Sequence, residues 1–207
     1  MPQRLIAIAG NIGSGKTTLT GLLADRMGWA PHYEDPDTNP YISDFYRDMK
    51  RWGFNMQIHF LYSRIAKIRA LRAGAQDAVQ DRTIYEDVYV FAPTLQHMGL
   101  LSERDYTCYT NLFAEIRDFV QPPDLLIYLR SSVSTLVNHI QARNRVYEQS
   151  VRIDYLQLLN ERYEEWIAGY KLGPLQIYDI DHLNFIDRPS DLQTILDGVD
   201  ARFNGLF

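Results

Sequence analysis

The sequence is short of cysteine, of long apolar runs and of surplus basic charge. Cys108 is the only cysteine among 207 residues, which excludes a disulfide framework and a cysteine-based zinc site. We expect a reducing, cytoplasmic compartment and a small buried side chain at this position. No stretch has the length of a bilayer-spanning helix and the first residues do not read as a signal peptide, so we expect no membrane partner.

The charge balance is mildly acidic. With 21 basic and 26 acidic residues the formal net charge is -5, whereas domains that bind nucleic acid usually carry a basic surface. We therefore expect no nucleic-acid partner, and the cations that bind an anionic substrate have to be concentrated locally. The 46% hydrophobic and 13% aromatic content argues against disorder, and the length suits a single domain, 1–207, with a sizeable core.

Short apolar strands alternate with helices along the chain. The strand candidates are RLIAIAG, PHYED, DAVQDR, PDLLIYLR and PLQIYDI. Helices are predicted at about 17–27, 39–49, 53–74, 85–97, 102–120, 133–142 and 153–170, and from about 190; Pro40 suits a first helical turn, Gly74 a helix end and Ser102 a cap. The alternation predicts an α/β fold, a five-stranded parallel sheet flanked by helices, with ligands at the carboxyl ends of the strands.

A glycine-rich stretch follows the first strand. GNIGSGKT, Gly10 to Thr17, fits the pattern G-x-x-x-x-G-K-[ST] between a strand and a helix. Backbone N–H groups of such a loop and the helix N-terminus surround phosphate oxygens, Lys16 reaches the β- and γ-phosphates, and the Thr17 hydroxyl holds Mg²⁺. The predicted phosphate-binding residues are Gly10, Asn11, Ile12, Gly13, Ser14, Gly15, Lys16, Thr17 and Thr18. The loop indicates a user of nucleoside triphosphates without defining the reaction.

Other motifs of phosphate-loop proteins narrow the reaction class. The guanine-reading N-K-x-D motif of switch GTPases is absent, and the D-x-x-G spacing occurs only as DRMG, at the end of the first predicted helix instead of after a strand. The strand that resembles the second ATPase motif ends in VQDRT, which places Asp81 near the Mg²⁺ shell and Arg82 near phosphate or a neighbouring acid. The modest size and the missing switch motifs favour a kinase that acts on a small molecule.

Two adjacent acids, Glu34 and Asp35, follow the second strand candidate in HYEDP. A kinase that phosphorylates an alcohol needs a carboxylate to take the hydroxyl proton, whereas a nucleotide kinase transfers to an oxygen that is already anionic. From these residues alone, solvated turn acids before Pro36 are the simpler interpretation.

Five stretches in this order resemble one family of kinases. They are GNIGSGKTT, YEDPDTNPY, FNMQIHFLYSRI, QDRTIYED and ARNRVYEQ, and they are similar to those of the deoxyribonucleoside kinases, especially the bacterial deoxyadenosine/deoxyguanosine kinases. The resemblance extends to about Phe185. It implies a P-loop kinase fold with an arginine-rich lid at about 143–151, Mg²⁺ with ATP as phosphate donor, a deoxynucleoside acceptor in nucleotide salvage, and a homodimer built on helices around Gln57 and Tyr85.

The resemblance also implies a role for each matched residue. Glu34 is the base that takes the proton of the 5′-hydroxyl, and Arg82 orients it. The full catalytic set is Glu34, Arg82, Lys16, Arg143 and Arg145, and the metal set is Thr17 and Asp81. Asp181 and Phe185, in DIDHLNF, are expected around the adenine of ATP. Asp35 is not fixed in the family and receives no catalytic role.

The implied acceptor site combines sugar-binding and base-reading residues. Tyr46 and Glu148 hold the 3′-hydroxyl, Gln57 reads the nucleobase, and the Arg64–Asp87 pair lies at the far end of the base pocket. The substrate set is Tyr46, Gln57, Phe60, Arg64, Arg82, Asp87 and Glu148. Helical spacing puts Gln57, Phe60 and Arg64 on one face, and a glutamine amide offers both a donor and an acceptor to a base edge. The resemblance implies a purine preference, and a pocket with both charges suits adenine, guanine or cytosine. We expect deoxyadenosine, then deoxyguanosine, as acceptor, with a deoxycytidine-preferring or broad-specificity kinase as the alternative.

Two positions of the lid depart from the family pattern. His139 replaces a frequent arginine one helical turn before the lid, and Asn144 replaces a glycine but still tolerates unusual dihedral angles. Two other functions stay open at this point. A nucleoside monophosphate kinase also has a phosphate loop but needs no Glu34, and a non-catalytic nucleotide-binding module needs no acceptor pocket.

Overall fold

A computed structural model describes residues 3–145, 148 and 151–205. Its strands are β1 (Leu5–Gly10), β2 (Ala30–His32), β3 (Ala78–Asp81), β4 (Leu125–Arg130) and β5 (Leu175–Asp179). Its helices are α1 (Lys16–Met27), α2 (Ile42–Arg47), α3 (Met49–Ala73), α4 (Ile84–Glu86), α5 (Ala92–His97), α6 (Glu103–Ile116), α7 (Val133–Arg143), α8 (Ile153–Ala168) and α9 (Pro189–Asn204). A π-helical turn, Asp87–Phe91, joins α4 to α5.

The strands form one parallel sheet in the order β2-β3-β1-β4-β5. The predicted five-stranded parallel sheet flanked by helices is thus confirmed. Alternate residues of β1 supply two separate cores: Ile6 and Ile8 pack in a cluster with residues of α1 and α9, whereas Ala7 and Ala9 join a cluster with tyrosines of α8. Both faces of the sheet are therefore covered, as is typical of parallel sheets.

Several boundaries differ from the sequence-based expectation. Strand β2 ends at His32, so the two acids of HYEDP lie in a loop, and α2 begins at Ile42, after Pro40 rather than around it. Helix α3 begins earlier than predicted because the Asp48 side chain accepts a hydrogen bond from Arg51 N at 3.1 Å and caps it. The predicted cap at Ser102 is confirmed by its bond from Asp105 N.

The prediction that Cys108 is buried is wrong, because its side chain is exposed. Helix α6 buries Tyr109 and Phe113, which are one turn apart, so the preceding residue points away from the core. Across the described ranges, no helix is both long and apolar enough to cross a membrane.

Candidate active site

The phosphate loop connects β1 to the first residue of α1 at the carboxyl edge of the sheet. Its glycines Gly13 and Gly15 adopt left-handed φ angles of 88° and 86°. A Cβ on Gly13 would meet Leu136 O at 2.9 Å, and one on Gly15 would meet Phe185 Cζ at 3.0 Å. The loop therefore needs glycine at both positions for its conformation and for close packing.

The start of the loop is anchored within the protein. Asn11 is buried, and its Nδ2 donates to Leu156 O and to Asn160 Oδ1, both at 3.1 Å. Gly10 N donates to Glu86 Oε1 at 3.3 Å. Gly10 and Asn11, which the sequence placed among the phosphate-binding residues, thus hold the loop in position, while the remaining loop residues line two clefts.

Lys16 is buried at the start of α1, and its Nζ donates to Asn11 O at 2.7 Å. Burial, together with the nearby positive charge of Arg82, lowers the pKa of Lys16 to about 7. A bound polyphosphate supplies the negative charge that favours the ammonium form. The position and the pKa both suit a residue that binds the transferring phosphates.

The residues predicted to bind the metal meet beside the phosphate loop. Thr17 Oγ1 donates to Asp81 Oδ2 at 2.6 Å, and Asp81 Oδ1 is buried without a hydrogen-bond partner. These hard oxygen ligands fit Mg²⁺, which typically keeps several waters and binds one or two carboxylates together with substrate phosphates. Among the described residues no three His, Cys, Asp or Glu side chains form a metal cluster. Thr17 and Asp81 stay the candidate protein ligands because their oxygens meet beside the phosphate loop.

The two acids of HYEDP have different environments. Asp35 is exposed, as expected of a turn residue, whereas the Glu34 side chain is only 15% exposed. Glu34 Oε2 accepts from Arg82 Nε at 2.8 Å and Oε1 accepts from Arg64 Nη2 at 2.5 Å. Burial tends to raise the pKa of Glu34, but Arg64 and then Arg82 outweigh it and lower the pKa to about 2. Glu34 is consequently ionised at neutral pH.

Arg82 follows β3 in a left-handed conformation, with a φ of 64°. Its backbone N donates to Ile8 O at 2.9 Å, and its guanidinium lies 4.6 Å from the ring centroid of Phe91. Nη1 donates to Tyr163 Oη at 2.8 Å. A non-glycine residue at positive φ costs free energy and is typically found at functional sites, and here it directs the guanidinium toward Glu34.

Glu86 is a member of this cluster that the sequence analysis missed. It is fully buried and accepts from Thr83 N at 2.6 Å and from Tyr163 Oη at 2.8 Å. It also lies 3.4 Å from Arg82 Nη1. The T-x-x-E spacing of Thr83 and Glu86 is a capping box, a signal that identifies the helix start. Tyr163 both packs in the second core cluster and hydrogen-bonds here.

Helix α3 and the π-helical turn provide the predicted base-reading residues. Gln57 is buried, and its Oε1 has no hydrogen-bond partner. Arg64 lies on the same face of α3, and its guanidinium is 5.6 Å from the Phe60 ring centroid. Its Nε donates a hydrogen bond to Asp87. The predicted Arg64–Asp87 pair is present, but Arg64 also contacts Glu34, so it lies between the base-reading acid and the candidate catalytic base.

These residues line one cleft with about 750 Å³ of empty space, open solvent at its mouth included. Of the predicted site residues it contains Ile12, Gly13, Lys16, Thr17, Glu34, Tyr46, Gln57, Phe60, Arg64, Asp81, Arg82, Asp87, Arg143, Arg145 and Glu148. Sequence reasoning missed the apolar wall, which is formed by Ile42, Phe45, Met56, Phe91 and Tyr155.

The lid prediction is covered only partly by the structure. Val146, Tyr147, Gln149 and Ser150 lie outside the described residues. Arg143 donates to both carboxylate oxygens of Glu148 at 2.6 to 3.0 Å, and Arg145 Nη1 lies 3.7 Å from Glu148 Oε1. Asn144 has a left-handed φ of 53°, as predicted for the position that replaces a glycine.

A second cleft lies on the other side of the phosphate loop. It is lined by the predicted residues Gly13, Ser14, Gly15, Thr18, Arg143, Asp181 and Phe185, with His139 beside them. Asp181 accepts from Ser132 N at 3.1 Å, and the His139 Nδ1 atom lies 2.9 Å from Gly13 O. Gly13 and Arg143 line both clefts. A phosphoryl group held between these two residues therefore faces the acceptor cleft on one side and the second cleft on the other.

Comparison with known proteins assigns this arrangement to a family. Residues 6–203 match the family model described as Deoxynucleoside kinase. The chain belongs to the deoxynucleoside kinase family. The predicted family and enzyme class, a phosphotransferase, are thereby confirmed.

Individual relatives of the kinase match over nearly the whole chain. It is 35% identical over 197 residues to a deoxyadenosine/deoxycytidine kinase of Bacillus subtilis, covering 94% of this chain and 91% of that protein. It is also 35% identical over 204 residues to a deoxyguanosine kinase of Lactobacillus acidophilus, covering 94% and 89%. A deoxyadenosine kinase from M. mycoides, solved with dCMP and dCDP bound, superimposes with a TM-score of 0.85 at 26% identity, covering 95% of this chain and 99% of that one.

Proposed function

We propose that this kinase transfers the γ-phosphoryl group of ATP to the 5′-hydroxyl of deoxyadenosine, with deoxyguanosine and deoxycytidine as weaker acceptors. The observation that carries the base preference is the buried Gln57 Oε1, which has no partner. A buried acceptor is costly when it is unpaired, and the exocyclic amine of adenine is a donor adjacent to the N7 acceptor. Arg64 and Asp87 supply a further donor and acceptor on the same wall of the cleft.

Glu34 is the proposed general base, since it lies in the acceptor cleft beside Lys16 and Arg82. The 5′-oxygen attacks the γ-phosphorus while its proton passes to a Glu34 oxygen. The bond between the γ-phosphorus and the β,γ-bridging oxygen breaks, and its electron pair leaves with ADP. Glu34 then releases the proton to solvent, so the products are the 5′-monophosphate, ADP and one proton.

The other charged residues of the cleft neutralise phosphate. Lys16 and the N-terminus of α1 face the loop, and Arg143 and Arg145 line the same cleft; positioning and electrostatic stabilisation supply most of the catalysis in phosphoryl transfer. Thr17 and Asp81 would hold Mg²⁺, whose charge offsets that of the β- and γ-phosphates when it is bound. Tyr46 and Glu148 are the proposed contacts of the 3′-hydroxyl, and Asp181 and Phe185 those of the ATP adenine.

Replacement of Glu34 by glutamine tests the proposed reaction, and Asp35→Asn is its matched control. Initial rates are measured with deoxyadenosine, deoxyguanosine, deoxycytidine, thymidine and dAMP as acceptors. We expect deoxyadenosine to have the highest kcat/KM, and Glu34→Gln to lower its kcat by at least about 100-fold. The exposed Asp35→Asn should keep wild-type rates. Preference for dAMP, or equal rates for wild type and Glu34→Gln, contradicts the proposal.

Deoxycytidine is the second candidate acceptor. The Bacillus subtilis relative is named for both deoxyadenosine and deoxycytidine, and cytosine also carries an exocyclic amine. The role of the amine is tested with purine 2′-deoxyriboside, the analogue of deoxyadenosine that lacks the exocyclic amine. This analogue should lose about 10- to 100-fold in kcat/KM relative to deoxyadenosine, the range expected for an unpaired buried group, and the loss should shrink in Gln57→Met. An equal loss in both proteins contradicts base reading by Gln57.

The proposal includes a homodimer in the cytoplasm, as expected from sequence. An apolar groove between α3 and α6 supports it, lined by Ile58, Leu61, Tyr62, Ile65, Ala66, Arg69 and Leu112. Tyr62 is 66% exposed and Leu112 43% exposed, which is unusual for large apolar side chains at neighbouring positions. Sedimentation should show a dimer that Tyr62→Glu dissociates, whereas the equally exposed control Ile186→Glu leaves it intact. A wild-type monomer contradicts the proposal.

A further inference from the structure

Arg64 connects two carboxylates that belong to different parts of the site. It projects from α3 and is 4% exposed. Its Nε donates to Asp87 on the π-helical turn, and its Nη2 donates to Glu34, which lies in the loop after β2, at 2.5 Å. One planar guanidinium thus joins the wall of the cleft that carries Asp87 to the candidate catalytic base.

Both oxygens of Glu34 are engaged by arginines, Oε2 by Arg82 and Oε1 by Arg64. A hydroxyl that transfers its proton to Glu34 has to reach one of these oxygens within hydrogen-bond distance. A carboxylate oxygen can accept two hydrogen bonds, but an arginine donor occupies part of the approach to each oxygen and lowers its basicity. Release of one arginine contact therefore makes one Glu34 oxygen both more accessible and more basic.

The two arginines differ in how firmly they are anchored. Arg82 is held on Glu34 by bonds to Tyr163 and Glu86, by its position over the Phe91 ring and by the backbone of β3. Arg64 has one further carboxylate partner, Asp87, and lies 5.6 Å from the Phe60 ring centroid. Both of these residues line the wall where the nucleobase is proposed to bind. Arg64 is thus the contact that a nucleobase can remove.

We propose that Arg64 is a positioning residue that couples recognition of the nucleobase to activation of Glu34. When a purine occupies the wall formed by Gln57 and Asp87, its ring acceptor takes an N–H of Arg64, and Nη2 leaves Glu34 Oε1 for the 5′-hydroxyl to occupy. This inference rests on the proposed function. It predicts that an acceptor is selected through kcat as well as through binding, because an acceptor with the wrong base leaves Glu34 held by both arginines.

The electrostatics agree with this coupling. Glu34 faces the positive charges of Arg64, Arg82 and Lys16, which outweigh burial and hold its pKa at about 2, too low for an efficient base. Removal of one cation from a carboxylate raises its pKa. Asp87, the second partner of Arg64, keeps a negative charge beside the displaced guanidinium, so Arg64 does not become an unpaired buried cation.

The coupling is tested by binding of 2′,5′-dideoxyadenosine, which has the base but no 5′-hydroxyl and cannot touch Glu34 through that group. If binding has to break the Arg64–Glu34 contact, Glu34→Gln, which removes the charge that holds Arg64, should bind this ligand at least about fivefold more tightly than wild type, at the lower end of typical coupling energies. Titration calorimetry gives the dissociation constants, and thermal unfolding confirms that each variant is folded. Glu34→Ala serves as the second variant if glutamine perturbs the fold.

The Arg64→Lys background completes the cycle. A lysine supplies one point charge and cannot donate to Asp87 and Glu34 in the same geometry, so Glu34→Gln should no longer tighten binding in that background. Unchanged or weaker binding in Glu34→Gln and Glu34→Ala overturns the coupling, and so does equal tightening in both backgrounds. Failure of the proposed function is distinguishable, because wild type would then neither bind 2′,5′-dideoxyadenosine nor phosphorylate deoxyadenosine.

Discussion

Arg82 Nε lies 2.8 Å from Glu34 Oε2, and the same guanidinium donates through Nη1 to Tyr163 Oη at 2.8 Å. The arginine thus connects the proposed general base to Tyr163 on α8. A base held this way keeps its orientation toward the phosphate loop, since the arginine itself is fixed by buried neighbours.

Arg82→Lys should therefore impair catalysis although it keeps the charge. Lysine cannot contact Glu34, Glu86 and Tyr163 simultaneously, and misplacement of a catalytic group by about 1 Å can cost about 100-fold in rate. We expect kcat for deoxyadenosine to fall by about that factor, measured by coupled ADP release. The control is Arg130→Lys, whose partner Glu164 is 43% exposed and lies outside both clefts; a comparable loss there would contradict a specific role for Arg82.

ATP binding should take up protons through Lys16. The pKa of Lys16 is lowered to about 7 by burial and by Arg82, so the amine is largely neutral above that pH, and phosphate then raises the pKa again. At pH 7.5 we expect uptake of about half a proton or more per ATP, obtained from calorimetry in buffers of different ionisation enthalpy.

Lys16→Arg is the matched control for proton uptake, because a guanidinium stays charged at this pH. Proton uptake should disappear in that variant, while the protonation change of ATP itself is common to both proteins. Equal uptake in wild type and Lys16→Arg would show that another group takes up the proton.

Gly15→Ala should weaken ATP binding through crowding of the phosphate loop. The added Cβ would lie 3.0 Å from Phe185 Cζ and would sit at a φ of 86°, so the loop or the ring has to shift. We expect KM for ATP to rise at least about tenfold, since backbone donors to phosphate are displaced.

Gly28→Ala separates crowding from backbone strain. Gly28 has a similar φ of 67°, but nothing lies within 4 Å of an added Cβ. Both variants should lose about 1–2 kcal/mol of unfolding free energy from the left-handed conformation, while only Gly15→Ala changes KM. If Gly28→Ala raises KM equally, strain rather than loop crowding explains the effect.

Glu86→Gln should destabilise the fold more than a similar change at the surface. Glu86 is fully buried among Thr83 N, Tyr163 Oη and Arg82, and removal of its charge leaves a buried guanidinium less compensated. We expect a loss of about 3 kcal/mol in urea unfolding. The control Glu164→Gln, half-exposed beside Arg130, should lose about 1 kcal/mol or less; equal losses would mean that burial of Glu86 is unimportant.

Local pattern was sufficient for most of the fold and for the location of the phosphate loop. The strands alternate with helices within short windows, so periodicity located all five strands of the sheet. The phosphate loop is a contiguous motif whose conformation depends on its own glycines. The boundaries around Pro40, β2 and the start of α3 were missed. They depend on turns and on a cap at Asp48, whose signals in the sequence are weaker than the hydrophobic periodicity.

The sequence by itself determined the sheet and the phosphate loop through its local pattern. Through resemblance it also determined the family and assigned different roles to Glu34 and Asp35. Only the tertiary structure decided that Arg64, which the resemblance pairs with Asp87, also contacts Glu34, 30 positions away from it in the chain. It also decided that Glu86 and Tyr163, 77 positions apart, share a hydrogen bond, and that Cys108 faces solvent. The physical reason is that such contacts arise when the sheet stacks distant segments at its carboxyl edge, and nothing in the local spacing of residues encodes which charges then meet.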